Sequence, residues 1–186
     1  MAKRAKNGDG LTGGTGDVSP QYYTLPQNTL SAANTYTEGT IPTPIPRNRI
    51  SNGKATVMEI LKVYFNLPEA DANNTAGGSV ISAQAQLTTR SLTAMQQNSP
   101  SVFAHCEKMM RGAFTAAGSY ATAIADPFIW DATDGAGHGV LVATDNIYFG
   151  CFTAGFTAAQ SFNARILYRM KNVSVEEYIG IVQSQQ

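Results

Sequence analysis

The alternation of apolar and polar side chains along this chain predicts strands far more often than helices. Ala55-Thr-Val-Met-Glu-Ile-Leu-Lys-Val-Tyr-Phe-Asn-Leu67 is the longest apolar run. At period two, Val57, Glu59, Leu61, Val63 and Phe65 share one face, and Met58, Ile60, Lys62 and Tyr64 the other. Both faces are largely apolar, the pattern of a central strand covered on both sides. A helix is the competing reading, and Pro68 ends either. Val80 to Leu92 alternates Ser, Gln and Thr with Ile, Ala and Leu, as a half-exposed strand does. Val102 to Met110 is ambiguous, because its Ala, Glu, Lys and Met favour helix among strand-like neighbours.

The C-terminal third alternates more cleanly. Pro127-Phe-Ile-Trp130 is a short apolar segment, and Asp134-Gly-Ala-Gly-His-Gly139 has the Asp-Gly chemistry of a turn. Gly139 to Ala143 and Asn146 to Phe152 read as strands. In Phe162 to Met170, Phe162, Ala164, Ile166, Tyr168 and Met170 fall on one face, and Asn163, Arg165, Leu167 and Arg169 on the other. Tyr178-Ile-Gly-Ile-Val182 completes the set as a last strand. Seven or eight strands with Gly-, Asn-, Asp- and Thr-rich connections predict an all-β sandwich, with an eight-stranded antiparallel jelly roll as the full form.

The remaining sequence divides the chain in three. Residues 1–20 are a tail: Lys3, Arg4 and Lys6 precede a Gly-rich stretch without a core-forming pattern. Residues 21–50 form a Pro-rich segment, and Ile41-Pro-Thr-Pro-Ile-Pro46 must be extended. It reads as an arm along a surface or an edge segment, never a central strand. Residues 51–186 hold the predicted sandwich.

Composition narrows the function. Charged residues make up 14% of the 186-residue chain, well below the usual quarter, while Ala (25) and Thr (19) dominate and Leu appears nine times. That excludes a coiled coil or helical bundle. Its 43% hydrophobic content excludes a disordered chain. The 13 basic and 13 acidic residues cancel, which speaks against a strongly basic nucleic-acid binder. The cancellation is uneven, however: residues 1–6 hold three of the cations, so the rest of the chain carries −3. A surface this poor in charge suits contact with other protein. No run approaches the length of a membrane span, and the basic start lacks the apolar core of a secretory signal. Cys106 and Cys151 are therefore expected as buried, reduced thiols, and the sequons at Asn73 and Asn172 are expected to stay unmodified.

Candidate chemistry is sparse. Gly8-Asp-Gly10-Leu-Thr-Gly13 matches a dinucleotide fingerprint but lacks the flanking strand and helix. No GxSxG elbow occurs, and a triad would have to use His105 or His138. His105 and Cys106, as strand neighbours, point to opposite faces. No enzyme activity or cofactor is therefore expected. Asp126, Asp131, Asp134 and Asp145 lie close in sequence; turn formation accounts for Asp131 and Asp134, and a cation shared among Asp131, Asp134 and Asp145 is the weaker reading. Candidate nucleic-acid contacts are Lys3, Arg4 and Lys6 in the tail and Arg47, Arg49 and Lys54 before the first strong strand. As an alternative, Trp130, Tyr148 and Tyr168 could form a sugar-stacking platform in a glycan-binding module.

Four strings carry a family resemblance: Val57-Met-Glu-Ile-Leu-Lys-Val-Tyr64, Trp130 to Tyr148, Arg165-Ile-Leu-Tyr-Arg-Met-Lys-Asn-Val173 and Glu176 to Gln185. Together they resemble the capsid proteins of small circular, Rep-encoding single-stranded DNA viruses, over roughly residues 50–185. The resemblance implies a single viral jelly roll that self-assembles into a small icosahedral shell, found in the virion and assembled inside the host cell. It implies copies of itself, the viral single-stranded DNA and a host receptor as partners, without membrane insertion. One departure matters: such proteins usually begin with a long Arg-rich arm, and here there are three cations. On the order of 60 copies would bring about 180 arm charges, one per neutralised phosphate at most. A genome of a few kilobases carries far more, so Arg47, Arg49, Lys54, Arg111 or bound cations would have to help.

Overall fold

The computed structural model describes residues 19–47, 49–69, 80–111 and 128–185. Lys3, Arg4, Lys6, Gly8–Gly13, Asn73 and Asp126 lie outside the described residues, as does the side chain of Arg111.

Strands β1 (Gln21–Thr24), β2 (Asn28–Thr29), β3 (Tyr36–Pro42), β4 (Ile50–Ser51), β5 (Lys54–Asn66), β6 (Val80–Thr88), β7 (Val102–Arg111), β8 (Phe128–Asp131), β9 (Val140–Val142), β10 (Asn146–Ala154) and β11 (Ser161–Ser174) precede helix α1 (Val175–Ser184). In the first sheet β11 lies between β1 and β5, with β2 also on β11, and β4, β8 and β9 on β5. The second sheet runs β3–β10–β6–β7, and every pairing is antiparallel. The pairs nest. β1 and β2 meet β11, β3 meets β10, β5 meets β8 and β9, and β6 meets β7. This is one long antiparallel ribbon rolled on itself. With β1 and β2 as one interrupted strand, β8 and β9 as another, and the two-residue β4 set aside as a hairpin at the start of β5, it gives eight strands in two sheets of four, the jelly roll.

β1 and β3 fall inside the Pro-rich stretch. Its backbone is extended there, at the edges of the two sheets, where Pro42 can close β3. The sandwich therefore recruits strands from both sides of position 50.

β5 is the central strand, paired along both edges. Its alternation differs from the predicted one. Leu167 faces Lys62 while Tyr168 faces Ile60, leaving Leu61 as a bulge. One extra residue exchanges the faces beyond it. Met58, Ile60, Val63 and Phe65 consequently all enter the core between the sheets, while Val57 packs on the opposite side. Phe162, Ala164, Ile166 and Tyr168 of β11 join them as predicted, and the ring centroids of Phe65 and Phe149 lie 6.4 Å apart across the core. Val102–Arg111, ambiguous in sequence, is a strand, and β6 ends at Thr88 rather than Leu92.

The predicted last strand is instead α1. Ser174 caps it, its Oγ accepting from the Glu177 amide at 3.1 Å, and Glu176 and Glu177 complement the dipole of the first turn. Tyr178, Ile181 and Val182, at helical spacing, pack on Ala55, Val57, Ala143 and Val173. That cluster covers one end of the first sheet's outer face. The strand-like string Tyr178–Val182 contains four β-favouring residues, yet the Ser-x-x-Glu cap decides its conformation.

Candidate nucleic-acid interface

The three mid-chain basic candidates have different fates. Arg47 and Arg49 line a cleft of about 440 Å³ with Pro42, Thr43, Ile45, Asp145 and Asn146. Arg49 is largely buried: it forms an ion pair with Asp145, and its Nη1 donates to the Ala143 carbonyl at 2.7 Å and reaches the Tyr178 hydroxyl at 3.5 Å. It fastens the β9–β10 turn and α1 to the start of β5, and its charge is matched by Asp145. Arg47 and Lys54 are exposed and have no ion pair among the described residues. Two of the three thus offer cations to an external anion.

The acidic candidates act separately. Asp131 accepts from the Thr133 hydroxyl at 2.6 Å and its amide at 3.0 Å, and pairs with Lys62 at 2.9 Å. The Thr133 hydroxyl, then Lys62, hold its carboxyl down at about 2. Asp134 closes the turn before β9, accepting from the amides of Ala136 and His138 and meeting the His138 ring at 3.1 Å. The His138 amide contributes most to lowering its pKa. Asp145 belongs to Arg49. These partners are the turn and ion-pair chemistry that competes with a shared cation, and among the described residues no group of three His, Cys, Asp or Glu converges.

Cys106 and Cys151 are buried free thiols. Burial pushes Cys106 up to about 12 and raises Cys151 well above its ordinary value, so neither is a thiolate near neutral pH. His105 lies against Trp130, with ring centroids 4.8 Å apart and the planes tilted by 47°, while Cys106 faces the core. The proposed aromatic platform does not assemble. Tyr168 is a core residue, whereas Tyr148 lies on β10 of the other sheet between core-facing Ile147 and Phe149.

A basic, aromatic surface appears where single-strand reading had no means to place it. On the outer face of the first sheet the Arg165 guanidinium lies 3.8 Å from the Tyr22 ring centroid, and Tyr22 lies 6.2 Å from Tyr64. Lys62 stands beside them on β5, and Arg169 and Lys171 follow along β11 around the buried Glu59. The face carries these four cations against two carboxylates, Glu59 and Asp131. The alternation of Asn163, Arg165 and Arg169 signalled a polar face; the bulge at Leu61 and the β1–β11 register, which bring Lys62, Tyr64 and Tyr22 to it, did not show in sequence.

No protein-family profile and no curated protein sequence matches the chain. Solved structures do. The VP1 pentamer of Human Polyomavirus 7 aligns with a TM-score of 0.55 at 10% identity, covering 89% of this chain and 98% of that one. VP1 of Trichodysplasia spinulosa-associated polyomavirus, in complex with 3'-sialyllactose, gives 0.53 at 12% identity, over 83% and 95% of the two chains. Merkel Cell Polyomavirus VP1 in complex with disialyllactose gives 0.51 at 9%, over 84% and 96%. What is shared is the jelly roll. At these identities the likeness concerns the fold, and it takes in 83–89% of this chain and 95–98% of theirs.

Proposed function

We propose that this chain is the capsid subunit of a small virus, assembling with copies of itself into an icosahedral shell around a single-stranded DNA genome. The observation that carries this reading is the eight-stranded jelly roll, whose nested strand order spans the described chain from Gln21 to Ser174 and which is shared with VP1 chains that form pentamers. Surface chemistry supports it. Ile50, Met109, Phe128, Ile129 and Ile179 are exposed large apolar residues, four of them on strands at sheet edges. Open edges and scattered apolar residues on a surface of low charge favour burial against other copies. The single-stranded DNA assignment rests on the four resembling strings.

Genome contact falls to Lys3, Arg4 and Lys6 of the tail, to Arg47 and Lys54, and to the Tyr22–Arg165–Tyr64 face, where rings and a guanidinium suit unpaired bases and phosphates. Arg49 drops out of that set. Purified protein at physiological salt should form particles visible by electron microscopy; a lone monomeric gel-filtration peak without particles overturns the reading. Deleting residues 1–6 should leave particles intact and lower their nuclease-protected nucleic acid, and unchanged content would remove the tail from the packaging scheme.

A further inference from the structure

We infer that β7 is the strand by which two copies of this chain join, antiparallel about a twofold axis at Cys106, so that their two second sheets become one continuous sheet. That the partner is a copy rests on the self-assembly reading above.

A strand at a sheet edge turns the amide and carbonyl of every second residue outward, and proteins blunt such edges with short strands, prolines or covering side chains. Three of the four edges here are blunted. In the first sheet the edge strands β1, β8 and β9 have 4, 4 and 3 residues. In the second sheet β3 closes on Pro42, and side chains reach its backbone: Asn28 Nδ2 donates to the Thr37 carbonyl at 3.3 Å, and the Tyr23 hydroxyl donates to the Pro42 carbonyl at 2.9 Å. β7 has none of these devices. It runs for 10 residues without Pro or Gly, and among the described residues β6 is its only strand partner and no side chain bonds to its backbone.

The sequence of β7 complements itself. Its register with β6 puts His105 and Glu107 on the outer row, beside Gln86 and Gln84, and Ala104, Cys106 and Lys108 on the core-facing row, beside Leu87, Ala85 and Ala83. Antiparallel pairing about Cys106 sets His105 of each copy against Glu107 of the other, a ring N–H facing a carboxylate. On the core-facing row Lys108 meets Ala104. An inward-pointing charge is itself a blunting device, but the Lys108 Nζ is shielded from solvent, and the residue opposite it has the smallest side chain of the strand. The ladder ends at the irregularity beside Ala104, where Met109, 59% exposed, comes against half-buried Phe103. Moving the axis to Glu107 or to Lys108 would set like charges directly opposite, which is destabilising, so the charges select the register. β8 lies beside this edge, with Trp130 against His105, and its Phe128 and Ile129, 42% and 53% exposed, stand at the rim of the same contact. The result is a symmetric interface made by strand addition, with main-chain bonds for affinity and the outer row for register.

Oxidative cross-linking of full-length chains tests the contact. Residues directly opposite on paired strands stand within disulfide reach. A His105→Cys chain is mixed with a Glu107→Cys chain and oxidised with copper phenanthroline, and the 105–107 linkage between chains is read by mass spectrometry, apart from any bond through Cys106. The mixture should yield covalent dimer at least fivefold faster than either chain alone. Met109→Lys in both chains should lower that rate at least tenfold at unchanged melting temperature, since Met109 is exposed in the single subunit. Equal rates in the mixture and the separate chains, or a rate insensitive to Met109→Lys, would overturn the contact. Particles at wild-type yield from the Met109→Lys chain would overturn it too while leaving the capsid reading standing. The 105–107 dimer without particles would support the contact and count against the capsid reading.

Discussion

Glu59→Gln probes how the first sheet holds its outer turn. Glu59 has no exposed surface, and its carboxylate pairs with Arg169, lies 3.5 Å from Lys171, and accepts from the Gly139 amide at 3.0 Å. The amide variant keeps the size and one acceptor but removes the negative charge that Arg169 and Lys171 face. Removing one partner of a fully buried pair costs about 3–5 kcal/mol. Arg169 and Lys171 retain 24% and 26% of their side-chain exposure, so water recovers part of that. The loss of a charged hydrogen bond, about 1.5–3 kcal/mol, is the better guide, and the expected cost is roughly 2–3 kcal/mol. For a chain of this size that lowers Tm by about 5–10 °C. Circular-dichroism melts should be run on dilute, unassembled subunit, because association would stabilise the fold by mass action. The pH dependence gives a second reading. Burial pushes the Glu59 carboxyl up, but the Arg169 bond, the Gly139 amide and Lys171 outweigh it and leave it below its ordinary 4.5. Its stabilisation is therefore complete above about pH 4.5 and is lost as the pH falls through the lower folded value. Wild type and variant should converge in acid. A neutral-pH shift under about 2 °C would refute the assigned role of this cluster.

Four further substitutions separate structural from functional positions. A Cβ at Gly139 would overlap the Ile60 carbonyl oxygen, so Gly139→Ala should force β9 off β5 and cost about 3 kcal/mol in urea melts; an unchanged midpoint would contradict that contact. Arg47→Ala should leave stability within about 0.5 kcal/mol and reduce the salt slope of oligonucleotide binding by about one, whereas Arg49→Ala should destabilise the fold, and the reverse assignment would sink the division drawn between them. Ile179 is 49% exposed on α1, so Ile179→Asp should change subunit stability by no more than about 0.5 kcal/mol; a large loss in thermal melts would put the residue back in a core.

Strands whose side chains meet a core were legible in the sequence. β5, β10 and β11 announce themselves by alternation or by apolar faces, and their number gives the sandwich. Pairing across long sequence separations was not legible. Arg49 carries no local mark that Asp145 and Ala143 will claim its charge, so it resembled a free nucleic-acid contact. The bulge at Leu61 is invisible to a strict period of two, although it decides that Glu59 is shielded on the helix side of the sheet rather than sharing a face with Val63. The terminal helix was legible but misread, because Tyr178, Ile179 and Ile181 outweighed the Ser174–Glu177 cap in a strand-rich context. β1 is short and Pro-flanked, and β3 carries Glu38, Gly39 and a closing Pro42 in place of a clean alternation, yet their extended backbone and edge placement suit those prolines.

The position of β11 has a consequence for how the subunit is made. Among the described residues β11 is the strand that joins β1 to β5 in the first sheet, and it follows β1 through β10 in the chain. A chain still emerging from the ribosome holds β1 through β10 with the first sheet split in two, and closing it requires pairing between segments almost the whole chain apart. Such pairings form slowly and leave edges bare until they do. Residues 161–174 therefore close the first sheet: a product truncated before Ser161 leaves β1 and β5 unjoined.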